Sequence, residues 1–134
     1  MTKDTSYYRI DHVPTWLWKQ FERAAQQVSD ESEARGAGAI AQGACIVAFL
    51  QAVNLADATA AGQVVAARAK PDTPKENVGV HVPSTLKQRI TTTAKARGLK
   101  VGAIGRLVLQ AHAQELKELI ERGLGIGTKK TAAG

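Results

Sequence analysis

A short phrase occurs twice in this chain, and the repetition limits what it can fold into. His12-Val13-Pro14-Thr15 followed by Leu17 returns as His81-Val82-Pro83-Ser84 followed by Leu86. Downstream, Gly38-Ala39-Ile40 matches Gly102-Ala103-Ile104, with 26 residues from His to Gly in the first copy and 21 in the second. Ala25 and Ala94 fall in register before that gap. A unit of roughly 45 residues ordered strand, helix, turn, helix cannot cover its own apolar face, and needs a second copy to close a core. This chain carries its own second copy.

The second copy is the clearer one. Val78, Val80 and Val82 alternate with Gly79 and His81, the period-2 pattern of a half-buried strand. Pro83 stops that strand and Ser84 is the candidate N-cap of a helix carrying Leu86, Ile90 and Ala94 on one stripe. Arg97 suits the last turn and Gly98 a left-handed C-cap. A second helix is predicted over Gly102 to Arg122, ended by Gly123.

The first copy follows the same plan less cleanly. Its strand, Tyr7 to Val13, alternates out of phase: Tyr8 and Ile10 agree with each other but not with Val13, which a bulge near Asp11 and His12 reconciles. Leu17, Phe21 and Ala25 stand where Leu86, Ile90 and Ala94 stand in the other copy. Ser29 to Gly36 reads as a long acidic turn, and the second helix is predicted to begin near Gly38. Leu55 to Lys70 is Ala-rich and either continues that helix or forms a separate short one. The chain thus divides into a first repeat (1–54), an Ala-rich segment with a Pro-containing linker (55–76), a second repeat (77–123) and a basic Gly-rich tail (124–134), the two repeats making one domain.

Composition fits this division. The 134 residues are 44% apolar but only 4% aromatic, which suits close-packed helices better than a sandwich. The single Cys45 sits in an apolar helical setting and reads as a small hydrophobe. No secretory signal and no membrane-spanning stretch is visible, so a cytoplasmic, nucleoid- or plasmid-associated protein is expected. Charge is unevenly placed: residues 1–70 sum to zero, and the whole net +6 lies in residues 71–134. Six cations (Lys87, Arg89, Lys95, Arg97, Lys100, Arg106) fall between Ser84 and Arg106 with no acid among them. Glu115, Glu118 and Glu121 follow at the far end of the last helix. Such polarity suggests a basic end aimed at a polyanion, although a merely solvated helix face has the same composition.

Val78-Gly-Val-His-Val-Pro-Ser-Thr-Leu, with Ala94, Gly98-Leu99, Ile104 and Arg106 behind it, resembles the ribbon-helix-helix family of DNA-binding proteins. The resemblance covers nearly all of 77–119 and, through the repeat, extends more weakly to 7–54. It implies a mainly α fold with a two-stranded antiparallel β-ribbon, a tandem pseudo-dimer in one chain, similar in layout to relaxosome accessory proteins of conjugative plasmids. The family lays its ribbon in the DNA major groove. Independently of that, an isolated strand leaves unpaired backbone groups, which pairing within one chain would satisfy.

On this reading Asn77, Gly79 and His81 face outward from the second strand, and Tyr7, Arg9 and Asp11 from the first. Asn suits adenine and Arg suits guanine, so Arg9 is the best single base reader; Asp11 would repel phosphate unless it accepts from cytosine. His12 and His81 either contact DNA or shape the strand exits. Phosphate is expected at the start of each second helix, where free N–H groups favour an anion. The residues are Lys100, Val101, Gly102 and Arg106 in one copy and Ala37, Gly38 and Ala39 in the other, with Lys75 near the ribbon. Gln42 replaces Arg106, so stronger anchoring is expected through the second repeat. Trp16 and Trp18 flank Leu17 and lie on different helical faces from it, covering the core's edge or joining molecules side by side on DNA.

An enzyme is not expected, nor a metal, cofactor, small-molecule substrate or membrane partner. There are three His and one Cys without metal-ligand spacing, and Gly36-Ala-Gly38-Ala-Ile-Ala41 follows an acidic stretch where a dinucleotide fingerprint needs a buried strand. A second class remains: an antitoxin-like module binding a co-encoded partner through Leu55–Lys70 or the tail. Within DNA binding, a transcriptional regulator and a transfer-origin accessory make the same demands on these residues.

Overall fold

Alternating apolar and polar residues form two strands, β1 (Thr5–Pro14) and β2 (Lys75–Pro83), which pair antiparallel as a two-stranded ribbon. The computed structural model describes residues 4–68 and 73–126; the expected linker at Pro71-Asp72 and the tail from 127 lie outside them. Tyr8 stands opposite Val80 and Ile10 opposite Val78, with these four side chains turned toward the helices. The register slips between Ile10 and Val13, so the expected bulge is present at Asp11 and His12. His12 takes a left-handed φ of 56°, rare outside glycine, and its N–H donates to Asn77 Oδ1 at 2.9 Å. The bulge restores phase: Tyr8, Ile10 and Val13 are all buried.

Each strand leads into three helices: α1 (Thr15–Ala34), α2 (Gln42–Ala52) and α3 (Leu55–Ala67) after β1, then α4 (Ser84–Arg97), α5 (Val101–Ala111) and α6 (Leu116–Leu124) after β2. Pro14 and Pro83 end the strands and precede the first helical residues. Ser84 does not cap α4 through its side chain, as its sequence position suggests; its Oγ lies 3.0 Å from Ser6 Oγ. The free N–H groups are met across the ribbon instead. Ser84 donates to the Asp4 carbonyl at 2.7 Å and Thr15 to the Pro74 carbonyl at 2.9 Å, two equivalent bonds that lock each first helix to the partner strand. Leu17, Phe21 and Ala25 of α1 and Leu86, Ile90 and Ala94 of α4 are buried at matching positions of one continuous core. Gly98 caps α4 with φ 66°, as expected.

Three expectations about the helices are corrected. The acidic stretch Ser29 to Ala34 is helical and completes the 20-residue α1, against 14 residues in α4. Ser29 and Ser32 are buried on it, and Ser29 Oγ accepts from the Ile40 N–H at 2.9 Å to guide the returning chain. In consequence α2 begins at Gln42, with Gly38 and Ala39 still in the connection. The helix expected over Gly102–Arg122 is two, broken at His112–Glu115, where Nδ1 of His112 and Oε2 of Glu115 lie 2.6 Å apart. The break lets α5 pack on β1 and α3 while Leu116, Leu119 and Ile120 of α6 turn toward α1 and α2. One straight helix could not face both.

The Ala-rich segment is a separate helix, α3, capped by Asn54 Oδ1 accepting from the Asp57 N–H at 3.0 Å and bent 99° from α2. It belongs to the core and completes the repeat. Gly62, eighth residue of α3, packs against the backbone of Leu107, seventh of α5. Gly123, eighth of α6, packs in the same way against Ala48, seventh of α2. These two approaches clasp the units together.

Candidate nucleic-acid interface

The ribbon's outer face carries Tyr7, Arg9, Asn77 and His81 with Gly79 among them, and Asp11 stands at its edge with the carboxylate turned toward α5. Strand alternation makes this obligatory once Tyr8, Ile10, Val78, Val80 and Val82 turn inward. Tyr7 and His81 are cross-strand neighbours in edge-to-face contact, ring centroids 5.6 Å apart, and the Tyr7 ring also lies over Gly79, where a β-carbon would push it aside. Arg9 lies opposite Gly79. Its side chain is 59% exposed, and Nε donates to Asp11 Oδ1 at 2.6 Å. This leaves the outer edge of the guanidinium for a bidentate acceptor. Asn77 commits its amide oxygen to the bulge at His12, and its NH2 group remains as a donor.

Below the ribbon, the Tyr8 hydroxyl is tied into the first turn of α5. It donates to the Val101 carbonyl at 2.7 Å and accepts from the Gly105 N–H at 2.9 Å. Burial pushes its phenol pKa well above the ordinary value. Arg106 Nε donates to the Asp11 carbonyl at 3.2 Å, which holds the bulge against α5.

The two second-helix starts differ. At α5 the Asp11 carboxylate rests on Gly102, where a β-carbon would collide with it, so the chain's own anion covers that end. Lys100 beside it is exposed. At α2 the equivalent glycine is Gly43, with no atom within 4 Å of a β-carbon position. Gln42, Gly43, Trp18, Gly79 and His81 there line a cavity of about 310 Å³. Gly38 and Ala39, predicted to present N–H groups from a helix start, lie ahead of α2 and do not. Gln42 and Gly43 take that place. The sequence signal was the doublet Gly43-Ala44, a second match to Gly102-Ala103 beside the longer one.

Among the described residues, Lys87, Arg89, Lys95, Arg97, Lys100 and Arg106 form no ion pair with a carboxylate. Lys87 Nζ bonds the Tyr7 carbonyl at 3.1 Å, placing its charge at the ribbon's edge. Lys75 lies at the ribbon's other end opposite Pro14, its Nζ 3.1 Å from the Thr73 carbonyl. Acids of the last helix are matched locally: Glu118 by Arg122 and Glu121 by Lys117, which also reaches Glu31 of α1. Positive charge therefore stays available on α4 and the start of α5, whereas the far end is internally balanced. Trp18 is buried and stacked on Phe21 at 5.0 Å; Trp16 is half exposed. Compared with known families, with curated proteins and with solved structures, the chain matches none.

Proposed function

We propose that this chain is a sequence-specific double-stranded DNA-binding protein that inserts its β-ribbon into the major groove, as a single-chain form of the ribbon-helix-helix arrangement. The observation that carries the reading is the pairing of β1 with β2, which puts Tyr7, Arg9, Asn77 and His81 on one outward face. A two-stranded ribbon has the width of the major groove, where its side chains meet base edges that distinguish all four pairs. Arg9 reads guanine, and Asn77 and His81 contact neighbouring edges. The flanking phosphates are held by the open start of α2 at Gly43, by Lys100 beside the start of α5 and by Lys87. Unpaired cations on α4 supply the long-range attraction.

The biological role follows as a transcriptional regulator or an accessory of plasmid DNA transfer. Mapping the protected site, at a promoter or at a transfer origin, decides between them. Binding itself is tested by mobility shift and anisotropy on duplexes enriched from a random library. Tight binding that weakens and loses discrimination at one base pair with Arg9→Ala supports the reading; absence of duplex affinity at low salt overturns it. The alternative is an antitoxin-like module binding a co-encoded partner: α3 packs one face on α5 and leaves Val64 and Val65 exposed, and a stable complex with such a partner would favour it.

A further inference from the structure

The two units are related by an approximate twofold axis, and the register shows where it crosses the ribbon. Pro14 corresponds to Pro83 and Thr5 to Lys75, each pairing with the other's counterpart. Counting inward, Tyr8 corresponds to Val78 and Ile10 to Val80, again in exchanged pairs. Arg9 and Gly79 are then each other's counterparts and also direct partners. The axis passes between them. In a symmetric ribbon that central position would carry two copies of one side chain. Here one guanidinium faces a residue with no side chain.

The unlikeness continues outward. Tyr7 has Asn77 as its counterpart, and the Asp11-His12 bulge takes the place of His81. One end of the outer face is therefore the Tyr7–His81 aromatic pair, and the other is Asn77 beside the bulge and the Asp11 carboxylate. A carboxylate and an imidazole occupy equivalent places, although one accepts hydrogen bonds and the other can donate. Beneath the ends, Asp11 covers Gly102 while Gly43 is open.

We infer that the chain reads a duplex site without twofold symmetry and binds it in one orientation only, with Arg9 contacting a single strand at the centre. This rests on the groove-binding reading and adds to it the class of target. A palindrome offers the same base edges and backbone to both ends, and so satisfies one end of this ribbon and mismatches the other. The major groove distinguishes A·T from T·A and G·C from C·G, so a ribbon with unlike ends can sense which way the duplex runs.

The test begins with enrichment of a random-sequence duplex library on the full chain. A DNA-cleaving reagent is then tethered to one cysteine and the bound site is cut. Cys45 is buried, so the tether goes on Trp16→Cys or Thr85→Cys, exposed and equivalent second residues of α1 and α4. The enriched motif should lack twofold symmetry, with the Trp16→Cys conjugate cutting one flank and the Thr85→Cys conjugate the other. A palindromic motif, or cutting at both flanks by each conjugate, overturns the single orientation while DNA binding stands. Failure to enrich any duplex overturns the groove reading and this inference together.

Discussion

Gly105 gives its backbone N–H to the hydroxyl of Tyr8 at 2.9 Å, so a side chain from the first strand is built into the first turn of a helix from the second unit. The same hydroxyl donates to the Val101 carbonyl at 2.7 Å. Ile10 packs against Gly105 so closely that a β-carbon there would crowd its side chain. The ribbon's position over α5 is fixed by this contact. Whatever the ribbon's outer face touches, its inner face is held here.

Tyr8→Phe should cost about 1–2 kcal/mol of folding stability in urea titrations at neutral pH, the range for losing a buried hydroxyl with two partners. The pH dependence has a definite sign. Burial raises the phenol pKa in the folded state, so the folded state holds the proton more tightly than the unfolded chain does. That contribution is complete below the unfolded phenol value of about 10 and declines as pH rises beyond it. The wild type should therefore lose its advantage over Tyr8→Phe on the alkaline side, and an advantage that grows there would contradict the geometry.

Gly62 and Gly123 make an equivalent pair of predictions. A methyl at either position meets a backbone carbonyl, of Leu107 in one case and Ala48 in the other, and backbone cannot rotate aside. Gly62→Ala and Gly123→Ala should each destabilise by about 1–3 kcal/mol or more, by similar amounts, as for overpacked helix contacts. Gly43→Ala is the control. It is helical and meets nothing, so it should stabilise by about 0.5–1 kcal/mol through helix propensity. Thermal melts of the three variants check the set.

Those glycines mark the boundary of what the sequence disclosed. Strand alternation, the Pro14 and Pro83 stops and the stripes Leu17-Phe21-Ala25 and Leu86-Ile90-Ala94 are short-range patterns, and the ribbon with its first helices follows from them. The bulge at Asp11-His12 was readable because a one-residue phase error leaves a trace in the alternation. The separation of α6 from α5 was not, because the apolar stripe of α5 runs on into α6 without a Gly or Pro at the break, whereas a separate helix over the Ala-rich segment was one of two open readings. The bend at His112–Glu115 is imposed by packing between units. Gly38-Ala39-Ile40 misled by matching three letters of the second repeat, while Gly43-Ala44 matched two and held the true structural position. Likewise, that Asp11 covers Gly102 depends on a strand and a helix about 90 residues apart in the chain, which periodicity does not report.

Salt should oppose binding steeply. With five or six phosphates engaged by the cations of α4, α5 and the ribbon edge, the log–log slope of affinity against salt should lie on the order of −4 to −6. Lys100 is exposed at the start of α5, so Lys100→Ala should weaken all sequences alike and reduce the slope by about 1. Anisotropy titrations on specific and scrambled duplexes measure both. A flat response, or a change in sequence preference with Lys100→Ala, would place the DNA elsewhere.

Arg9 and Asp11 should respond in opposite directions. Arg9→Ala removes the one exposed guanidinium at the centre of the ribbon's outer face and should relax discrimination at one base pair by about 1–3 kcal/mol while lowering affinity. Asp11→Asn keeps the arginine but weakens the 2.6 Å bond that aims it, and removes a negative charge beside Gly102. A less constrained Arg9 reads guanine less selectively, yet a neutral neighbour no longer repels phosphate. Asp11→Asn should thus bind duplex DNA more tightly overall with a smaller gap between the best site and its single-base variants. Competition binding across a set of singly substituted duplexes separates the two quantities. Were Asp11→Asn to lower affinity only at duplexes carrying one particular C·G pair, Asp11 would be contacting DNA directly, as the acceptor for a cytosine amine rather than the brace for Arg9.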